Sequence, residues 1–257
     1  MNVGDTPERD RSDMGATVEF SRRDLFRYAA AGSAVAGIAA LTSTTSSVAV
    51  AKADSLGILI DYAGGVPSAD AILEAGYDGA IRYVSDRRPG AEWMEGKPML
   101  ADEAQALLDA GLSVVSCYQF GKGPTADWRG GLEAGKRHAE RGLELHLAAG
   151  GPEDRPIYAS IDDNPSPADF LTMIAPYLAG WESVVGKGNT GIYANSKTLD
   201  LAVLAGLGSW YWQHDWGTPE GYVHPSAHLH QYEIDASNVD GVGIDLNDIL
   251  KPDYGQW

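Results

Sequence analysis

Five times in succession the chain places a short strand-forming run ahead of a helix-forming stretch, and then the alternation stops. The runs are Gly57 to Asp61, Ala80 to Val84, Ser113 to Phe120, Ile157 to Asp162 and Gly191 to Ala194. The first helical stretch is opened by Pro67 and Ser68 and closed at Gly76; the second covers Ala101 to Ala110 and is capped by Gly111. The others run from near Asp127 to Ala149, from near Pro167 towards Val185, and from Ser196 to about Leu204. Ser or Pro at the first turn and Gly past the last are the expected punctuation of helix ends. Three further runs follow, Trp210 to Gln213, His228 to Tyr232 and Val242 to Asp245. Their connections are short, or contain Gly217, Pro219, Gly221 and Pro225, and leave no room for full helices.

Strands that alternate with helices lie parallel, so eight of them at this length predict a TIM-like β/α barrel with the last helices reduced or missing. An open doubly wound sheet would ask for a glycine-rich phosphate loop after its first strand. The sequence there is Asp61-Tyr62-Ala63-Gly64-Gly65, which matches no such loop. Closure predicts that the last strand, Val242 to Asp245, pairs with the first, because pairing removes both sheet edges.

Residues 1–53 read as an export signal and residues 54–257 as the barrel. Ser21-Arg22-Arg23-Asp24-Leu25-Phe26-Arg27 is followed by an uncharged stretch from Tyr28 to Leu41, then by Ala49-Val50-Ala51 or Ala51-Lys52-Ala53 as a cleavage site. The stretch is shorter than the roughly 20 apolar residues that cross a bilayer. The arginine pair resembles the twin-arginine signal, an address read by export machinery that carries folded proteins. No lipobox cysteine stands near the cleavage site, so the expectation is a soluble protein, secreted or associated with the cell envelope. The segment holds six acidic and six basic side chains, so the barrel keeps the whole formal charge of −17. A field of that sign opposes nucleic-acid binding. The one cysteine, Cys117, excludes an intramolecular disulfide and a cysteine-rich metal site.

Three of the strands end in aspartate: Asp61 after Ile58-Leu59-Ile60, Asp162 after Ala159-Ser160-Ile161, and Asp245 after Val242-Gly243-Ile244. One strand-end aspartate is explained as a helix cap. Three at the carboxyl ends of barrel strands converge on one mouth, where barrel active sites lie. Clustered carboxylates push some of their pKa values up, which yields an acid and a base from one residue type. Tyr118, Tyr193, Trp210, Trp212 and Tyr232 are candidate platforms for sugar rings, and Gln231 and Asn247 can donate to and accept from sugar hydroxyls. Arg82 is read as a counter-ion of the aspartates or a sugar ligand. His214, His224, His228 and His230 have a spacing that could hold zinc, but not the helical i, i+4 arrangement, and neither metal nor cofactor is expected.

Taken in order, these motifs resemble the incomplete barrel of the family-25 lysozymes, which cleave peptidoglycan glycan strands. Asp240-Gly241-Val242-Gly243-Ile244-Asp245-Leu246-Asn247-Asp248 is similar to their last strand, His230-Gln231-Tyr232 to the strand before it, and Ile58-Leu59-Ile60-Asp61 to their first. The arginine pair, Pro156-Ile157-Tyr158-Ala159-Ser160-Ile161-Asp162-Asp163-Asn164 and Gly79-Ala80-Ile81-Arg82-Tyr83-Val84-Ser85-Asp86 bring the chain closer to an exported glycoside-hydrolase-like family of actinobacteria. The resemblance implies Asp61, Asp162 and Asp245 as the catalytic carboxylates. It also places Asn164 where the lysozymes carry their proton-donating glutamate. An amide cannot protonate a leaving oxygen, so Asp162, with a raised pKa, is expected to act as donor. Two readings follow: a glycoside hydrolase of low activity on a cell-envelope glycan, or a non-catalytic carbohydrate-binding or regulatory protein of the envelope.

Overall fold

The computed structural model describes residues 55–257, so the proposed export signal lies outside the described residues. Eight strands close into a barrel in chain order. They are β1 (Ile58–Asp61), β2 (Gly79–Tyr83), β3 (Ser113–Tyr118), β4 (Ile157–Ser160), β5 (Thr190–Asn195), β6 (Trp210–His214), β7 (Leu229–Val239) and β8 (Val242–Ile249). Helical segments follow the first five: α1 (Ala69–Glu74), α2 (Ala101–Asp109), α3 (Gly131–Ala148), α4 (Pro167–Asp169) and α5 (Ala175–Val185) joined by a π-helical turn, and α6 (Ser196–Ala205). Among the described residues no α-helix separates β6, β7 and β8. The expected stop in the alternation is therefore real.

Local chemistry explains several of these boundaries. The Ser68 hydroxyl accepts from the Ala71 amide and starts α1. Asn195 does the same for α6 through the Thr198 amide, and Gly206 ends that helix in the left-handed conformation, φ 68°. Inside the barrel lie Leu59, Ile81, Val115, Tyr158, Trp212, Leu229 and Ile249. Between sheet and helices lie Ile60, Ala80, Val114, Ala159 and Ile192, packed with Ile72, Leu107, Trp181 and Leu199. Helices α3 and α5 meet at Gly135 and Gly180, where an added Cβ would overlap the facing backbone. The end of the barrel opposite the mouth is plugged by Tyr254, whose carbonyl accepts from the Tyr158 hydroxyl at 2.8 Å.

β1 to β7 pair in parallel, but β8 runs antiparallel to both β7 and β1. Val239 pairs with Val242 across a two-residue loop, Asp240-Gly241, with φ of 51° and 76°. Both residues of a type I′ loop need positive φ, which Asp-Gly supplies at low cost. The reversal changes how Asp245 reaches the mouth. Asp245 is not at the end of its strand; it pairs with Asp61 because the start of β8 lies beside the end of β1.

Candidate active site at the barrel mouth

Side-chain parity decides which candidates enter the barrel. On β2, Ile81 and Tyr83 point inward and Arg82 outward, where it is fully buried. Its guanidinium pairs with Glu103 and donates to the carbonyls of Tyr62, at 2.6 Å, and Gly96, at 2.7 Å. Arg82 therefore faces neither a sugar nor the carboxylates directly; it ties the loop after β1 and the loop after β2 to α2. Tyr118 also points outward, against Trp181 and His138, to whose Nδ1 its hydroxyl bonds at 2.9 Å. Tyr232 shares the outer face of β7 with His230. None of these three lines the pocket at the mouth.

That pocket has a volume of about 370 Å³ and brings together Asp61, Asp162, Asp245, Tyr193, Trp212 and Gln231 from the sequence candidates. Its floor is a directed hydrogen-bond chain. Trp212 Nε1 donates to Asn247 Oδ1 at 2.9 Å, and Asn247 Nδ2 donates to Asp61 Oδ2 at 2.9 Å. From the other side Tyr193 donates to Gln231 Oε1, while Gln231 Nε2 reaches Asp61 Oδ2 at 2.9 Å and Asp245 Oδ2 at 3.2 Å. Gln231 and Asn247, expected to serve sugar hydroxyls, both hold carboxylates here; Gln231 also lines the pocket, and Asn247 does not.

The three carboxylates are in different states. Burial raises the pKa of Asp61, against donation from Asn247, Gln231 and Tyr83. Despite its burial, these three donors favour charge on Asp61 rather than on Asp245. Burial and the neighbouring Asp61 push Asp245 up to about 7, opposed by the Asp235 amide, which donates to Oδ1 at 2.8 Å. Asp235 sits at φ 51° within the register shift between Glu233 and Ser237 of β7, where its N–H meets Asp245.

Asp162 differs from expectation. Burial raises its pKa, but Lys122 and Gln119 more than offset this and hold the carboxyl below the usual range. Lys122 Nζ lies 2.8 Å and Gln119 Nε2 3.0 Å from Asp162 Oδ2, which leaves Oδ1 outside both contacts. These partners favour the ionised form of Asp162, and the carboxyl raised towards neutrality is that of Asp245. Asn164 is exposed and turned away from the pocket; its Oδ1 accepts from Asn195 Nδ2 at 3.0 Å, close against Gly217.

Several pocket residues had escaped the sequence reading: Lys122, Gln119, Arg88, Lys97, Trp93 and Ser160. Most lie on loops, where strand parity gives no guide. Ser160 is inward by parity with Asp162, and its buried hydroxyl has no protein partner. The four histidines do not converge. His214 bonds to the Ile161 carbonyl, His224 to Asp200, His228 to the Tyr211 amide and His230 to Asp215. Among the described residues no cluster of three or more His, Cys, Asp or Glu is placed to hold a metal ion, and no helix is long and apolar enough to cross a membrane.

Residues 70–249 match the family described as Rv2525c-like, glycoside hydrolase-like domain. The chain is 60% identical over 237 residues to a Mycobacterium tuberculosis protein named "Putative peptidoglycan hydrolase Rv2525c", covering 92% of this chain and 98% of that one. A crystal structure of the M. tuberculosis Tat-secreted protein Rv2525c, in complex with L-tartrate, superposes with a TM-score of 0.79 at 64% identity. It covers 79% of this chain and all of the other. A bacterial lysozyme from Streptomyces coelicolor shares the fold, with a TM-score of 0.50 at 17% identity, covering 76% of this chain and 92% of that one.

Proposed function

Because the chain belongs to the Rv2525c-like, glycoside hydrolase-like domain family, we propose that its barrel mouth hydrolyses a peptidoglycan-like glycan of the cell envelope. One observation carries this reading: a carboxyl poised near neutrality, Asp245, shares a sugar-sized pocket with an ionised one, Asp162. Glycoside hydrolysis needs that pairing. Asp245 protonates the departing glycosidic oxygen, and Asp162, through Oδ1, supplies the negative charge that meets the developing oxocarbenium ion; water then adds to the anomeric carbon and its proton returns to the Asp245 carboxylate. Asp61 keeps the proton on Asp245, because two charges bridged by one Gln231 amide repel. The exposed ring of Trp93 offers a face for a sugar ring, while the buried Tyr193 and Trp212 form the floor beneath it. The Lys122–Asp162 ion pair favours a second reading, a glycan-binding protein without turnover, since Lys122 draws charge from the carboxylate that must act. Incubating the protein with peptidoglycan and analysing released fragments separates the two: new reducing ends support hydrolysis, and retention on the glycan without fragments supports binding alone.

The proton assignment fixes the pH profile. Cleavage should hold steady below about pH 7 and fall above it as Asp245 loses its proton, and should fall again in strong acid once Asp162 is protonated. The negative charge of Asp235 also raises the Asp245 pKa, so Asp235→Asn should move the alkaline limb to lower pH. An alkaline limb unmoved by this substitution would show that the titrating group is elsewhere.

We also propose export by the twin-arginine route, supported by Arg22-Arg23 and by the Tat-secreted relative. Replacing both arginines with lysine should retain the precursor in the cytoplasm. Normal export of that double variant would refute this route.

A further inference from the structure

Two cations on the pocket wall have no acid to pair with. Lys97 is 3% exposed; its ammonium donates to the Gln119 carbonyl at 2.9 Å and lies 3.7 Å from the centroid of the Tyr83 ring. The guanidinium of Arg88, half-buried in the same loop after β2, bonds to the sulfur of Met94 at 3.8 Å. Among the described residues neither has a carboxylate within 4.0 Å, whereas Lys122 has Asp162. The groups around Lys97 do not supply the missing charge. Burial keeps the Cys117 thiol and the Tyr83 hydroxyl protonated. Asp127 attracts Lys97 from a distance, but its oxygens take the Phe120 and Gly121 amides and face His138.

A buried ammonium beside a guanidinium is costly unless something neutralises it. The chain has 36 acidic side chains against 19 basic ones, so a partner would be easy to supply. None is placed here, on the wall of a pocket open to ligands.

We propose that Arg88 and Lys97 form a subsite for a carboxylate substituent on the glycan, an inference that rests on the glycan reading of this mouth. The placement ties the subsite to the chemistry. Gln119 accepts from Lys97 and from Ser85 through its carbonyl, at 2.9 and 2.8 Å, and donates through its side chain to Asp162. A carboxylate held by the two cations is therefore registered, through one residue, against the carboxylate that acts on the sugar ring. The pocket is bipolar: acids come from β1, β8 and the segment after β4, and unpaired cations from the loop after β2. Without those cations an acidic sugar would meet the charge of Asp61 and Asp162 uncompensated.

The test is calorimetric titration of the protein with two oligosaccharides of equal length. In one, alternate N-acetylglucosamine rings carry a lactyl-ether carboxylate; in the other that group is the carboxamide. A charge-assisted contact contributes enough to make the acid bind about tenfold tighter or more. Arg88→Gln and Lys97→Met should each shrink that ratio of acid to carboxamide affinity; Arg88→Gln, at a half-exposed position, keeps the test sound if Lys97→Met fails to fold. Equal binding of acid and carboxamide by the natural protein would overturn the subsite and leave the glycan reading standing. Failure of both oligosaccharides to bind would overturn both.

Discussion

Asp245→Asn is expected to lower the rate of glycan cleavage by a factor of about 10² to 10⁴, the range that a positioned proton donor contributes. The change is nearly isosteric, and the amide oxygen can still accept from the Asp235 N–H while only the longer Gln231 contact is lost, so glycan binding should persist. Rate and affinity should therefore separate, as they do when an interaction made in the transition state is removed. Cleavage that survives Asp245→Asn but disappears in Asp162→Asn would place the donor on the β4 side, where the sequence alone had put it.

Arg82→Met should destabilise the fold by about 3–5 kcal/mol, the usual result of leaving one partner of a buried ion pair behind. Glu103 would lose its counter-ion, and the carbonyls of Tyr62 and Gly96 would lose their donor. Against a typical total of about 5–15 kcal/mol, this is a large fraction. Urea unfolding measures it directly. Glycan affinity per folded molecule should be unchanged, because Arg82 faces away from the pocket. A variant of normal stability that has lost glycan binding would restore Arg82 as a sugar ligand.

The order of elements was legible because glycine, proline and serine punctuate each unit, and the helix-free final strands were legible from their short connections. The direction of β8 is written in the sequence too: Asp240-Gly241, with Val239 before and Val242 after, is a two-residue hairpin signal. Asp245 was thus found for the wrong reason, as a strand end, when it enters the mouth through an antiparallel register. Parity would have excluded Arg82, Tyr118 and Tyr232, since each neighbours an inward residue, Ile81, Cys117 and Gln231. The charge states were beyond reach of spacing. Lys122 follows β3 and Asp162 follows β4, 40 residues apart in the chain, and only the folded loop brings them to 2.8 Å. That contact holds the Asp162 carboxyl below the usual range.

Carboxyl-carbon NMR titration of aspartate-labelled protein tests the placement of the proton most directly. The account predicts one aspartate carboxyl titrating at about 7 that vanishes in Asp245→Asn, and one titrating below the ordinary aspartate range that vanishes in Asp162→Asn. A near-neutral titration that survives Asp245→Asn and is lost in Asp162→Asn would contradict it.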